Sequence, residues 1–218
     1  ISGKVTTFGF STDADVYAKN IKLDTETTVF DVSVNGTFET FEIPVKGKFN
    51  ILNALGAISI ASAMGFSINE IKQGLKTFSP PKMRMQAVKF DNGTIVINDA
   101  YNANPSSMKE SISSLEQSYP NRDIVLVLGD MLELGEYSAD EHKGVLELIK
   151  KMNPGLMFFV GTEFRSAAQG DDYFSQRALF FENSGLLRDF LAENRPESVL
   201  FLIKGSRGTR LEKVLEVL

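Results

Sequence analysis

The sequence of 218 residues contains no cysteine and only one histidine. Without cysteine the chain cannot form disulfides, bind zinc through thiolates or use a thiol as a nucleophile. A single histidine cannot form a zinc site. His142 stands at helical spacing from Val145 and Ile149. We therefore predict that it is a structural side chain rather than a metal ligand.

Basic residues are outnumbered by acidic ones, and long apolar runs are absent. Lys and Arg number 23 against 28 Asp and Glu, and no cluster of basic residues stands out. Nucleic acid or an anionic membrane is therefore not expected as the main partner. No apolar run approaches the roughly 20 residues that span a bilayer, and residues 1–15 lack the pattern of a signal peptide. We expect a cytoplasmic protein without membrane insertion, and a chain that is a piece of something longer because it opens on a strand-like stretch.

Three nucleotide or nucleophile motifs are absent: G-x-x-x-x-G-K-[ST], G-x-G-x-x-G and G-x-S-x-G. If the protein handles ATP, the loop that cradles the phosphates lies elsewhere.

The first part of the chain predicts strands followed by helices. Apolar and polar residues alternate on both sides of Asn35-Gly36, the residue pair favoured by a hairpin turn. Residues 50–65 are apolar nearly all round and predict a buried helix. Ser67 and Glu70 have the spacing of a capping box for a second helix. Two prolines then end this part, so we predict one domain over residues 1–81 and another over residues 82–218.

The second part alternates between strands and helices. DIVLVLGD and GLMFFVG are almost continuously apolar, as in strands that are buried on both faces. A helix is predicted from Pro105, and Ser138 with Glu141 predicts a capped helix after the next strand. RLEKVLEVL completes the series as a C-terminal helix. This order predicts an α/β fold with a parallel sheet and right-handed crossovers.

Polar and glycine-rich segments follow the predicted strands. They are residues 98–104, 129–135, 161–163 and 204–210. Because ligands bind beyond the carboxyl ends of parallel strands, this coincidence predicts a site at one edge of the sheet. Each segment also has a structural interpretation. Asn104-Pro105 is a good helix start, and Lys204 and Arg207 could be solvated. Cations near a helix start nevertheless indicate a nearby anion.

Two asparagines stand in the predicted buried helix of the first part. Asn50 and Asn53 are three residues apart and share one face. Asn50 could be the helix cap, whereas Asn53 needs a partner, and an amide pairs well with the edge of an adenine.

Four motifs in this order resemble the Mur ligases, the ATP-dependent enzymes that build the peptidoglycan stem peptide. GKFNILNALGAISIA resembles the family segment G-x-H-N-x-x-N-A-x-A-A, and the others are NDAYNANPSSM, VLGDMLELG and KGSRG. The last three resemble the branch that joins D-Ala-D-Ala to UDP-MurNAc-tripeptide. In two positions the chain departs from the pattern. Phe49 replaces the usual histidine, and Asn98 stands where an acid is common.

The resemblance implies a bacterial, cytoplasmic ligase of three domains. The chain would hold the strand-and-helix end of the central ATPase domain and all of a C-terminal Rossmann-like domain. The cofactors would be ATP and Mg²⁺. The phosphate loop and the magnesium ligands would lie upstream of this chain. The fragment would therefore hold no complete set of catalytic residues and would be inactive alone. We expect the full-length enzyme to be a monomer, and the fragment to be able to self-associate through an exposed sheet edge.

The resemblance also implies residue roles. Asn50 and Asn53 would lie by the adenine, where Phe49 could still stack on the base. Arg84 would reach the phosphates and Asp99 would bind the ribose. The cleft between nucleotide and dipeptide would be lined by Tyr101, Asn102 and Asn104. The incoming dipeptide or its carboxylate would contact Lys204, Ser206 and Arg207. Two alternatives stay open. One is a ligase of the same chemistry with another amine, like folylpolyglutamate or cyanophycin synthetases; the other is a non-catalytic nucleotide-binding module.

Overall fold

A computed structural model describes residues 5–23, 27–34, 36–45, 47–79 and 81–218, and the side chains of residues 49, 116 and 117 also lie outside the description. The chain divides into two compact units, Ile1–Pro80 and Pro81–Leu218. The sequence-based boundary lies one residue further along the chain.

The first unit packs helices on a mixed sheet. Its elements are β1 (Phe8–Gly9), β2 (Val16–Leu23), β3 (Thr28–Val34), β4 (Thr37–Ile43), α1 (Lys48–Ala63) and α2 (Ile68–Lys76). The strands follow the order β1-β2-β3-β4, with β1 parallel to β2 and the other pairs antiparallel. β3 and β4 pair from Val34–Thr37 outward, which confirms the predicted hairpin. Asn35 of its turn lies outside the described residues.

Helix α1 is buried on one side only. Ile51, Leu55 and Ile58 are fully buried and pack with Phe30 and Val32 of the sheet. On the other side of the helix, Leu52 and Ile60 are exposed. The prediction of a wholly buried helix is therefore wrong for the described residues, because the sheet of this unit covers a single face of α1.

The start of α2 is the predicted capping box. The amide of Glu70 donates to Ser67 Oγ over 3.3 Å, and the amide of Ser67 donates back to Glu70 Oε2 over 2.8 Å. The Ser67 hydroxyl also donates to this carboxylate, and these bonds hold the pKa of Glu70 below its ordinary value.

The second unit is an α/β sandwich. Its elements are β5 (Gln86–Lys89), β6 (Ile95–Asp99), α3 (Pro105–Ser118), β7 (Ile124–Gly129), α4 (Ser138–Met152), β8 (Leu156–Val160), α5 (Glu163–Ala167), α6 (Asp172–Arg177), β9 (Ala178–Phe181), α7 (Ser184–Glu193) and β10 (Leu200–Lys204). The sheet order is β5-β6-β10-β7-β8-β9, and only the pairing of β5 with β6 is antiparallel within it. The parallel α/β sheet expected from the alternation is confirmed.

Both faces of this sheet are covered. Leu126 and Leu128 of β7 belong to a core that includes α3, α4, α5 and α6. Val125 and Val127 belong to a second core, which includes α7 and the C-terminal segment. Such burial on both faces explains the near-continuous apolar character of the strand.

Two local predictions for this unit are wrong. Ser138 and Glu141 form no capping box, because Ser138 Oγ donates to Glu163 at 2.5 Å and Glu141 accepts from Lys109 at 2.9 Å. The C-terminal segment forms a 3₁₀ helix over Leu211–Glu216 rather than an α-helix. Leu211 and Val214 are both fully buried, and residues three apart align on the same side of a 3₁₀ helix.

No helix among the described residues is long and apolar enough to cross a bilayer.

The one-sided burial of α1 predicts unequal effects of two matched substitutions. Leu55→Ala should lower the free energy of unfolding by about 2–5 kcal/mol, because it leaves a cavity in a fully buried position. Leu52→Ala, on the exposed side of the same helix, should cost less than about 1 kcal/mol. Urea unfolding of the two variants measures both values, and equal losses would contradict the one-sided packing.

Candidate functional site at the carboxyl edge of the second sheet

Strands β6, β10 and β7 are adjacent and parallel, so the segments that follow them meet at one edge of the sheet. The register pairs Lys204, the last residue of β10, with Asp99 on one side and Leu128 on the other. The structure thus brings together residues 98–104, 129–135 and 204–210. This edge is where open parallel sheets bind ligands.

A buried ion pair lies at the centre of the edge. Lys204 Nζ is 2.5 Å from Asp99 Oδ2, and the two side chains are only 3% and 11% exposed. Ser111 Oγ donates to the same oxygen over 2.8 Å, and the amide of Met85 donates to Oδ1 over 3.0 Å. The Asp99 carboxylate therefore connects β10, helix α3 and the segment that leads into β5.

The two cations of segment 204–210 have separate acidic partners in the chain, and a bound anion between them stays a prediction. The partner of Lys204 is Asp99, 105 residues away in the sequence. Arg207 has a second acid, with its guanidinium 3.2 Å from Glu212. Lys204 is thus paired and buried, whereas the Arg207 side chain stays 59% exposed beside Glu212.

Arg84 is presented by a strained segment. Met83 and Met85 on either side have φ of 65° and 47°, a left-handed conformation that costs roughly 1–2 kcal/mol per residue. The amide of Tyr101 donates to the carbonyl of Met83 over 3.1 Å, and Asp99 holds Met85. The Arg84 guanidinium lies 4.4 Å from the centre of the exposed Tyr101 ring. The edge therefore displays a cation stacked on an aromatic ring.

The turn after β6 begins helix α3 as predicted. Asn104 Oδ1 accepts from the amide of Ser107 over 2.8 Å, and the amide of Asn104 donates to Ser107 Oγ over 3.2 Å. Pro105 is the first helical residue. The Asn102 carbonyl accepts from Lys204 over 3.4 Å. The side chains of Asn102 and Asn104 are exposed.

Ser206 joins three loops of the edge. Its amide donates to the carbonyl of Asp130 over 3.2 Å, and its hydroxyl donates to Ala103 O over 3.2 Å. The same hydroxyl oxygen accepts from the amide of Leu132 over 2.9 Å. Ser206 is buried, whereas the neighbouring Arg207 is exposed and contacts Met83 Sδ at 3.5 Å.

Glycine is required where two of these loops touch. A Cβ on Gly205 would lie 2.9 Å from the Cα of Gly129 and 2.7 Å from Thr209 Oγ1. Real Cβ atoms do not approach backbone atoms so closely, because the overlap would push the two loops apart. This close approach explains a glycine in both VLGDMLELG and KGSRG.

Asp130 and His142 are buried beside this edge. The sequence did not identify the role of Asp130, and it predicted His142 only as a structural side chain. Asp130 Oδ2 accepts from the amides of Thr162 and Glu163 over 2.8 and 3.0 Å, and Oδ1 accepts from Phe164 over 3.1 Å, so it caps helix α5. His142 Nε2 accepts from the amide of Met131 over 3.1 Å. An aspartate directly after a buried strand was the available signal for the first residue.

The adenine candidates lie in the first unit. Helix α1 begins at Lys48 with Gly47 as its cap, so Asn50 is not the cap but the third helical residue. Its amide donates to the Gly47 carbonyl over 3.0 Å, and Asn53 is exposed one turn along the helix. The side chain of Phe49 lies outside the description.

Comparison with protein families gives the class. Residues 83–207 match the family described as Mur ligase, glutamate ligase domain, and residues 1–61 match the Mur ligase middle domain. The first match covers more than half of the chain. The chain belongs to the Mur ligase family.

Individual relatives show which members of the family the chain is similar to. The chain is 32% identical to the UDP-N-acetylmuramoyl-tripeptide–D-alanyl-D-alanine ligase of Bacillus subtilis over 99% of its length and 47% of the relative, and 29% identical to that of Escherichia coli. It superposes on a crystal structure of MurF from Acinetobacter baumannii with a TM-score of 0.82 and 29% identity, over 97% of this chain and 46% of that one. The chain spans about half the length of the curated relatives that it matches.

The buried ion pair predicts a strongly non-additive pair of substitutions. Lys204→Met should lower the free energy of unfolding by about 3–5 kcal/mol, because it leaves the Asp99 carboxylate buried without its cation. Adding Asp99→Asn should restore a large part of that loss. A double-mutant cycle by denaturant unfolding measures the coupling, and simple additivity would contradict the role of the pair.

Proposed function

We propose that the chain is the C-terminal part of a UDP-N-acetylmuramoyl-tripeptide–D-alanyl-D-alanine ligase. The observation that carries this proposal is the likeness, along 99% of the chain, to a relative with that name. The family match alone leaves the amine substrate open. In this assignment residues 1–81 are the end of the central ATP-binding domain and residues 82–218 are the C-terminal ligase domain, in the bacterial cytoplasm.

The reaction joins an acid and an amine with ATP. ATP phosphorylates the terminal carboxylate of the UDP-MurNAc-tripeptide, and ADP leaves. The amine of D-Ala-D-Ala attacks the acyl phosphate carbon, loses a proton, and phosphate departs as the amide forms. Such chemistry depends on positioning and on cations that neutralise developing charge.

The ATP contacts that we propose are Asn50, Asn53 and Phe49 for the adenine, Arg84 for phosphate and Asp99 for ribose. Arg84 suits its role because it is an exposed cation on a fixed segment. Asp99 already accepts three hydrogen bonds, and a carboxylate has about four lone-pair sites. One acceptor position is therefore left for a ribose hydroxyl, on a side chain that is 11% exposed. The described residues hold no cluster of three metal-binding side chains, and we assign no step of this chain to Mg²⁺.

The dipeptide side of the site divides into two groups. Arg207, Tyr101, Asn102 and Asn104 are exposed at the edge and are proposed as direct contacts. Arg207 would bind the dipeptide carboxylate. Lys204 and Ser206 are buried in bonds to other loops, so we propose that they act by holding these contacts in place.

A ligation assay of the full-length enzyme tests the function. With ATP, Mg²⁺ and UDP-MurNAc-tripeptide, phosphate release and amide product should depend on D-Ala-D-Ala, whereas residues 1–218 alone should not turn over. Arg207→Ala should raise KM for the dipeptide by about ten- to a hundredfold, the usual effect of losing a hydrogen bond to a charged group.

Arg188→Ala is the matched control. Arg188 is a partly exposed arginine of α7 that pairs with Asp189, so its removal should leave KM unchanged. A full-length enzyme that prefers glutamate to D-Ala-D-Ala would point to a relative with another amine. Phosphate release by residues 1–218 at the full-length rate would contradict the assignment of this chain as one part of the catalytic unit.

A further inference from the structure

His142 is fully buried and has a fixed tautomer. Its Nδ1 lies 2.7 Å from the carbonyl oxygen of Ser138, which can only accept, so Nδ1 carries the proton. Its Nε2 then accepts from the amide of Met131 over 3.1 Å. The ring thus joins helix α4 to the loop after β7 through two hydrogen bonds.

The packing around the ring leaves it little freedom. Its centre lies 4.6 Å from that of Phe164 in an edge-to-face arrangement. Nε2 is 4.0 Å from Asp130 Oδ1, and Ser138 Oγ is 3.4 Å from Nδ1. Asp130 is itself held by the amides at the start of α5. The ring is therefore fixed by neighbours from several elements.

From this ring a short chain of bonds leads to the site. His142 holds Met131, and the amide of the next residue, Leu132, donates to Ser206 Oγ over 2.9 Å. The carbonyl of Asp130 accepts from the Ser206 amide over 3.2 Å. Arg207 follows Ser206 directly. Residues 130–132 therefore contribute two of the hydrogen bonds that hold Ser206, the residue before Arg207.

We propose that His142 is a positioning residue for the dipeptide side of the site. Its neutral Nδ1–H form fixes residues 130–132 against α4, and these residues fix Ser206 and with it Arg207. The effect should be larger for the amine substrate than for ATP. Asp99 holds the segment that presents Arg84, and the contact of Arg207 with that segment is a long one, 3.5 Å to Met83 Sδ. The role in catalysis depends on the proposed function. The two hydrogen bonds of His142 that join α4 to residues 130–132, which we call the clamp, do not depend on it.

Kinetics of the full-length enzyme test the proposal with three variants. His142→Leu keeps the side-chain size and removes both hydrogen bonds. His142→Gln keeps an acceptor that can reach the Met131 amide. Val145→Ala is the control, since it loosens the fully buried face of the same helix without touching the loop bonds.

We expect His142→Leu to raise KM for D-Ala-D-Ala by about tenfold and to leave KM for ATP within about twofold, as for a lost buried hydrogen bond. His142→Gln should recover most of the loss. Val145→Ala should lower Tm and change neither KM by more than about twofold. A lower Tm for His142→Leu with an unchanged KM for the dipeptide, or equal rises for both substrates, would overturn the proposal.

Amide hydrogen exchange tests the clamp independently of the proposed reaction. In His142→Leu, exchange at Met131 and Leu132 should accelerate by about tenfold or more relative to Val145→Ala. Unchanged protection at these amides would refute the clamp. If the unmodified enzyme does not ligate D-Ala-D-Ala, the proposed function fails, and the exchange rates still decide the role of His142.

Discussion

The buried pair of Lys204 and Asp99 is the constraint on which the carboxyl edge depends. It joins the central strand to its neighbour, and the carboxylate also holds Ser111 of α3 and the amide of Met85. Buried ion pairs add little net stability compared with apolar side chains of similar volume. We infer that the contribution of this pair is positional, because it keeps Arg84 on its strained segment and sets the turn before α3.

The carboxyl edge contains two groups of side chains: buried ones that hold its loops together, and exposed ones that can contact a substrate. Four of these side chains are buried and form hydrogen bonds to neighbouring segments: Lys204, Ser206, Asp130 and His142. Arg84, Tyr101 and Arg207 are exposed beside them. A rigid base with few exposed groups suits group transfer, since reacting atoms must be held to within fractions of an ångström while substrates exchange.

Local patterns predicted much of the fold. The hairpin, the capping box at Ser67, the helix start at Asn104-Pro105 and the parallel sheet were predicted from local sequence and were found. Ser138 with Glu141 has the same local pattern as Ser67 with Glu70, yet both side chains bond to distant residues instead. The cations of KGSRG predicted a nearby anion, and the structure instead gives each cation a carboxylate of the chain. Asp99 becomes the neighbour of Lys204 only through strand register. Spacing along the chain carries no information about such partners.

The contact of Gly129, Gly205 and Thr209 couples two motifs that lie far apart in the sequence. The backbone of one loop occupies the volume that a side chain on the other would need, and the Thr209 hydroxyl fills what remains. A change at either glycine is therefore tolerated only if the loops separate, and that would carry Ser206 away from Leu132. Gly129 and Gly205 therefore constrain each other, because neither can gain a side chain while the facing loop and Thr209 keep their places.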